Sequence, residues 1–295
     1  MGNVQTASPG RVRESRQSRL GELWRRLRSN KGAVLGLVVI LLLTLMAIFA
    51  PYLAPYDPNK MNSGPRLAPP SWKHPLGTDN FGRDQLSRII YGARISLYVG
   101  FIAVGIGAFF GGFIGAVVGY YGGRIDNLLM RLMDVLLAVP QIILAIAIVG
   151  ALGANLLNLM IAVGVSQIPR YARIVRASAL SVRGQEFVEA ARAIGASDLR
   201  IITENILPNC MAPIIVQSTL GVAAAILSAA ALSFLGLGIQ PPTAEWGSML
   251  SLGRQYMRNA PHLTFFPGLV IAMVVLALNL FGDGLRDALD PRLRQ

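Results

Sequence analysis

Charge is what this sequence has least of. Only 14% of its 295 residues are Asp, Glu, Lys or Arg, against about 25% in an ordinary soluble domain. So little charge cannot cover a water-facing surface, which disfavours a soluble enzyme and a disordered protein alike. Cysteine is nearly absent: Cys210 stands alone, and a single cysteine forms no internal disulfide. Histidine occurs only as His74 and His262. With one cysteine and no paired histidine spacing, a metal centre is poorly supported. No G-x-x-x-x-G-K-[ST] phosphate loop occurs, so the chain is not expected to hydrolyse ATP itself. Acidic residues are outnumbered 15 to 27, a net charge of +12. That excess fits nucleic acid or a membrane protein with basic cytosolic loops.

Apolar residues fill the space left by charge. They make up 53% of the chain, with a mean hydropathy of +0.52. Positions 32–56, 95–123, 135–169, 205–244 and 259–282 contain no Asp, Glu, Lys or Arg. A helix needs roughly 20 apolar residues to cross a bilayer. The run 135–169 is broken by Gly153-Ala154-Asn155 and is short for two crossings, so both helices borrow from charged flanks. The expectation is an all-α integral membrane protein with six transmembrane helices, at about 33–54, 94–121, 128–151, 154–177, 209–236 and 263–284.

The basic residues set the orientation. With the N-terminus in the cytosol, 19 of the 27 Lys and Arg fall on the inside and 8 on the outside. Both termini are therefore expected in the cytosol. No aromatic-interleaved basic groove is visible, which argues against nucleic acid. The basic N-terminal region before an apolar run imitates a signal peptide, but the run is long and no A-x-A site follows, so an uncleaved first span is expected. Gly2 with Thr6 matches a myristoylation pattern too short to carry weight.

The expected organisation is a cytosolic tail over 1–32, a first transmembrane helix over 33–54, a Pro-rich external segment over 55–93, a transmembrane core over 94–285 and a cytosolic tail over 286–295. In the first tail, Leu20, Leu23, Trp24 and Leu27 share one helical face, with arginines elsewhere. This reads as an interfacial helix against membrane lipid or as a helix packed on a partner subunit. Gly107, Gly111, Gly115, Gly119 and Gly123 recur every four residues, a bare face on which a second helix can pack closely.

The inside loop between spans four and five is the most informative stretch. Phe187, Ala190, Ala191 and Ile194 fall at i, i+3, i+4 and i+7, away from Glu186, Glu189 and Arg192. Gly195 is a natural C-terminal stop. Ser197 or Asp198 can cap the next helix, which Pro208 interrupts or ends. The result is an amphipathic helix of about ten residues, some 15 Å long, too short to span. Periodicity alone leaves two roles equal: docking in a partner's groove, or lying on the membrane.

The residues here resemble a known pattern. Glu189-Ala190-Ala191, three residues, Gly195, nine residues and Asn205-Ile206-Leu207-Pro208 resemble the EAA loop of ABC importer permeases, usually EAA-x3-G-x9-I-x-LP. Asn205 stands where isoleucine is usual. His74-Pro75-Leu76-Gly77-Thr78-Asp79, Gly82-Arg83-Asp84 and Gly92-Ala93-Arg94-Ile95-Ser96-Leu97 resemble the segment before the second span of dipeptide/oligopeptide permease C-type subunits. So do 232–242 and the tail 282–291. The resemblance covers roughly residues 20–292. It implies a type I ABC importer permease core, with the EAA coupling helix between spans four and five, in a bacterial inner membrane. It also implies a second permease subunit, two ATP-binding subunits that use ATP and Mg, and an external solute-binding protein. The coupling residues it points to are Glu186, Glu189, Ala190, Ala191, Gly195, Asp198 and Pro208. A bulky residue at 195 should then uncouple transport without removing the protein from the membrane.

The path is less marked. Gln141, Asn158, Gln167, Gln217, Ser218 and Asn279 are polar residues within spans, able to bind helices together or to line a wet cavity. Gln217 and Ser218, with Gln141 and Asn279, are the expected path residues. No Asp, Glu or Lys lies mid-span, so an ion-coupled carrier lacks its relay. Asp79 and Asp84 can be read as a general acid–base pair, but Gly77 and Gly82 beside them favour turns and caps. No catalytic residue, bound cofactor or metal site is expected. The alternatives are a stand-alone channel or carrier and a membrane-embedded enzyme. Within the importer reading, peptide leads over nickel, glutathione and opines as substrate.

Overall fold

A computed structural model describes residues 21–22 and 24–289, and these are helical wherever they are regular apart from one isolated bridge between Thr78 and Asp84. Leu20 and Leu23 of the expected interfacial stripe lie outside the described residues. Residues 24–29 form a helical turn with Trp24 exposed and Leu27 buried.

Asn30 caps α1, Lys31–Ile48, by accepting from the backbone N–H of Ala33 at 3.1 Å. The helix is apolar on all sides and packs on the last helix. A Cβ on Gly36 would lie 2.5 Å from the Ala277 carbonyl oxygen, so glycine sets this approach. After a short turn at Ala50–Leu53 the chain runs irregularly to residue 84. Helix α2, Gln85–Ile106, continues through a π turn at Gly107–Gly111 into α3, Gly112–Tyr121. It begins nine residues before the expected start at 94. The reason is Asp84, whose carboxylate accepts from the backbone N–H of Ser87 at 2.8 Å.

The expected straight helix over 128–151 does not form. Helix α4, Gly123–Ala138, and helix α5, Gln141–Leu152, meet at 91°. Proline disfavours helical backbone in the residue before it, and Pro140 takes the N-cap position of α5 with Val139 extended. With 12 residues, α5 is about 18 Å long, less than the roughly 30 Å of a bilayer core. Helix α6, Leu156–Val182, is 27 residues long. Next come α7, Glu186–Ala193, and α8, Met211–Phe234, then α9, Trp246–Arg254, and α10, His262–Leu289.

Among the described residues, four helical stretches are long and apolar enough to cross a membrane: Lys31–Ile48, Gln85–Tyr121, Met211–Phe234 and His262–Leu289. The bent α4–α5 pair makes a fifth if it counts as one span. Helix α6 carries Arg170, Arg173 and Arg176 in its second half.

The glycine ladder behaves as its spacing implies. Cβ atoms on Gly107, Gly111, Gly115 and Gly119 would run into Gln167, Ile168, Tyr171, Ala172, Val175 and Ala179 of α6. Gly123 leaves the ladder and starts α4 at φ +61.

The irregular segment 54–84 is held by buried charges, whose burial the sequence does not show. Asp79 accepts from Arg83 Nε at 2.6 Å and from the backbone N–H groups of Phe81 and Arg83 at 2.8 and 2.9 Å. Arg83 and Arg88 are each only 1% exposed. His74, in the irregular segment, is buried with Nδ1 2.9 Å from Asp84 Oδ1. Turn and cap are thus the roles of Asp79 and Asp84. Helix α9 was not expected. Its Trp246 is fully buried and donates from Nε1 to the Ile89 carbonyl at 3.0 Å. Glu245 caps it, accepting from the backbone N–H groups of Gly247 and Ser248 at 2.7 and 2.8 Å.

Candidate functional site: the coupling helix and the path

The continuous α2–α3 stretch is 37 residues, about 55 Å long. The 54–84 segment packs at one end of it and the loop holding α7 at the other.

Helix α7 has the local design its sequence implies. Gln185 occupies the N-cap in extended backbone. Glu186 and Glu189 lie in the first turn and Arg192 in the last, each on the side that the helix dipole favours. The end is a Schellman motif: Gly195, at φ +81, donates to the Arg192 carbonyl at 3.0 Å, and Ala196 donates to the Ala191 carbonyl at 3.1 Å. A Cβ on Gly195 would meet nothing within 4 Å. Glycine is required there by backbone angle, and crowding plays no part.

The apolar face is where the spacing put it, but it points away from the bundle. Phe187 is 40% exposed and Ile194 is 85% exposed. Ala190 is exposed and Ala191 partly buried. The anchor is Val188, fully buried among Tyr120, Val175, Ala179, Val182, Ile201 and Ile206. Sequence reading missed Val188 because one valine beside Phe187 falls off the main stripe. An apolar, outward face beside exposed Glu186 and Glu189 has the composition of a docking surface.

Asp198 does not cap. Ser197 takes the N-cap position of Asp198–Ile201 without a side-chain bond. The Asp198 carboxylate instead accepts from the Tyr120 hydroxyl at 2.7 Å and from the Tyr121 hydroxyl at 3.0 Å. These bonds hold its carboxyl below the usual carboxylate range. The Arg192 guanidinium sits 5.5 Å from the Tyr120 ring centre. The loop is thereby tied to the end of α3. Arg183 donates to the Gly119 carbonyl at 3.4 Å. Arg176 pairs with Asp126 of α4 at 2.5 and 2.6 Å. Pro208 lies exposed in the short helix Leu207–Asn209, after a π turn at Ile202–Ile206. Asn205 is partly exposed, while its neighbour Ile206 is fully buried. The departure from isoleucine at 205 therefore leaves the inner packing intact.

The expected path residues do not converge on one pocket. Gln217 lines an open groove of about 500 Å³ with Ile174, Asn209, Val216 and Arg286. Ser218 accepts from the Tyr171 hydroxyl at 3.3 Å. Gln141 begins α5 at the Pro140 break, its amide nitrogen buried and unpaired among the described residues. Asn279 is partly buried on α10. Gln167 is 3% exposed with an unpaired amide nitrogen, and it meets Gly221 beside Tyr171. Its place in a charge-free run carried no signal that set it apart from the other amides. Among the described residues no group of three or more His, Cys, Asp or Glu could hold a metal ion.

Comparison with known proteins adds the following. The profile of a family described as "Binding-protein-dependent transport system inner membrane component" matches residues 111–295. A second, described as "N-terminal TM domain of oligopeptide transport permease C", matches residues 18–70. The dipeptide transport system permease protein DppC of Haemophilus influenzae is 48% identical over 282 residues, 94% of this chain and 96% of its own length. DppC of Alkalihalophilus pseudofirmus is 51% identical over 92% of this chain and 90% of its own length. The glutathione transport system permease protein GsiD of Escherichia coli is 48% identical, with coverage of 92% and 90%. Among solved structures, inward-facing MetNI methionine ABC transporter matches with a TM-score of 0.54 at 19% identity, covering 69% of this chain and 97% of the other. That last likeness concerns fold alone.

Proposed function

Since the chain belongs to the family of binding-protein-dependent transport system inner membrane components, we propose that it is a permease subunit of an ATP-driven importer for di- and oligopeptides. The observation that carries this reading is the 48–51% identity to dipeptide permeases over more than nine-tenths of the chain. The glutathione relative fits the same class, since glutathione is itself a small peptide.

In this reading α7 is the coupling helix. Phe187, Ala190 and Ile194 enter a groove on an ATP-binding subunit, with Glu186 and Glu189 at the rim. Val188 and Asp198 then pass the movement of that subunit to α6 and α3. Gly195 ends the helix where the chain must turn back, and Pro208 starts the return into α8. Two ATP-binding subunits supply the ATP and Mg chemistry. A second permease subunit completes the path, and an external solute-binding protein delivers the substrate. Both termini and α7 lie in the cytosol, and the 54–84 segment lies outside. The α4–α5 pair and α6 complete six crossings, with Arg170, Arg173 and Arg176 at the cytosolic end of α6. Gln217, Ser218, Gln141 and Asn279 border the path. The conformational change is a rocking of the bundle between inward- and outward-facing states.

The test is uptake by the whole importer in liposomes, with ATP inside and a labelled dipeptide on its binding protein outside. Accumulation that needs ATP, binding protein and this chain is the expected result. Accumulation by this chain alone would instead make it a stand-alone channel or carrier.

A further inference from the structure

A second surface feature lies at the other end of the α2–α3 stretch from α7. A groove of about 420 Å³ opens there, lined by Pro58, Asn59, Tyr91, Arg94, Tyr98 and Thr243, with Ile95 and Ala244. This volume lies within the usual range for small-molecule sites, about 300–1,000 Å³.

Tyr91, Arg94, Ile95 and Tyr98 fall at i, i+3, i+4 and i+7, so they share one face of α2. Arg94 is exposed, and among the described residues no carboxylate lies within ion-pair distance of it. The two arginines that precede it behave in the opposite way. Arg83 and Arg88 are buried and face Asp79, at 2.6 and 3.8 Å. A guanidinium turned toward lipid without an anion is costly, so Arg94 faces water or a ligand.

The walls of the groove are fixed from behind. Arg88 Nη1 donates to the Pro58 carbonyl at 2.9 Å and to the Pro242 carbonyl at 3.3 Å. One buried side chain thus clamps together the two loops that supply Asn59 and Thr243. Glu245, buried at the start of α9, holds the second loop next to Ala244. Among the described residues, Arg94 is the one cation lining this groove, and it has no ion-pair partner there.

We propose that this groove receives the solute on its way into the bundle, with Arg94 binding a carboxylate and Tyr91 and Tyr98 flanking the residue that carries it. The proposal rests on the peptide-importer reading and names the part of the substrate that is recognised. A planar guanidinium matches a carboxylate with two parallel hydrogen bonds. Tyrosine offers a ring for apolar side chains and a hydroxyl for polar groups. Short peptides differ in their side chains and share a terminal carboxylate and peptide groups. A groove with one arginine and two tyrosines reads the shared part.

The test uses the whole importer in liposomes and two substrates, a dipeptide and its C-terminal carboxamide. Each is supplied at a concentration that saturates the binding protein, measured separately by calorimetry. The unmodified importer should favour the carboxylate. Arg94→Gln should lower dipeptide uptake about tenfold, the scale of one charged hydrogen bond, and bring the carboxylate-to-carboxamide ratio toward one. Arg94→Lys, which keeps the charge, should recover part of the ratio and shows that the position tolerates change. A ratio near one in the unmodified importer, or one unchanged in Arg94→Gln, overturns the proposal. So does an equal loss of both substrates, which would assign Arg94 to an acidic side chain of a neighbouring subunit. Failure of the unmodified importer to carry any peptide refutes the peptide reading itself, a different result.

Discussion

Two short helices flank α8 and differ in almost everything except length. Helix α7 has 8 residues and α9 has 9. Only Val188 of α7 is buried. In α9, Trp246, Gly247, Ser248, Met249 and Gly253 are buried. The N-cap of α7 makes no side-chain bond, while Glu245 satisfies two backbone donors of α9. A buried short helix derives its stability from what surrounds it, and an exposed one leaves its apolar residues for a partner. The first belongs to the scaffold, and the second is the helix that the proposed function assigns to an interface.

Substitutions should separate the two helices. The largest effect on the protein itself belongs to Trp246→Ala. It empties a fully enclosed site and removes the bond to Ile89, at a cost of about 3–5 kcal/mol. Thermal unfolding in detergent should show a large fall in stability, with uptake falling in parallel with intact protein. Phe187→Asp combined with Ile194→Asp should do the reverse. The chain should remain in the membrane with its melting temperature unchanged, while co-purification of the ATP-binding subunits drops about tenfold or more, as for loss of a small hot spot. A double variant that unfolds would mean that the exposed face serves α7 itself.

The caps give a smaller contrast. Glu245→Ala should cost about 1–2 kcal/mol, the range of a lost N-cap, whereas Gln185→Ala should change stability by less than about 0.5 kcal/mol. Equal effects in thermal melts would erase the distinction between the helices. The smallest effect is confined to acid. Asp198 has its carboxyl depressed by two tyrosine hydroxyls, so its contribution is present above the unfolded value, about 3.9. That contribution is lost as pH falls through the folded value. Hydrogen exchange of residues 196–201 should be flat from neutral pH down to about 5 once corrected for intrinsic rates, and should rise only below that. Asp198→Asn should remove the acid step.

What the sequence made legible follows the same division. Periodicity found α7, because its stripe of Phe187, Ala190, Ala191 and Ile194 is regular. It could not say what the stripe meets, since a face for a partner's groove and a face for the membrane surface read alike. The outward turn is decided by Val188, a single contact made in three dimensions. Helix α9 has no such stripe. Its glycines and serines conceal it, and it is helical because Trp246 is held under Ile89 and Gly247 lies against Ala230. The glycine ladder was legible because close helix packing needs glycine at a fixed spacing. The bend at Pro140 was equally present in the sequence, but a count of apolar residues passes over it. The charge count places Arg83 and Arg88 outside and says nothing of their burial. Their burial depends on Asp79 and on carbonyls of Pro58 and Pro242, and pairing across such separations leaves no local mark.

The contact between α3 and α6 sets a mechanical condition on the molecule. Where glycine lets one helix lie against another, only the side chains of α6 stand between the two backbones, and little is left to slide or repack. Under the function proposed above, a load applied at Val188 or Asp198 bears on both helices together. Helix α6 runs 27 residues as one helix through Pro169, about 40 Å, whereas the chain breaks at Pro140. The chain turns sharply at the 91° break between α4 and α5, a corner that the glycine-packed pair does not share.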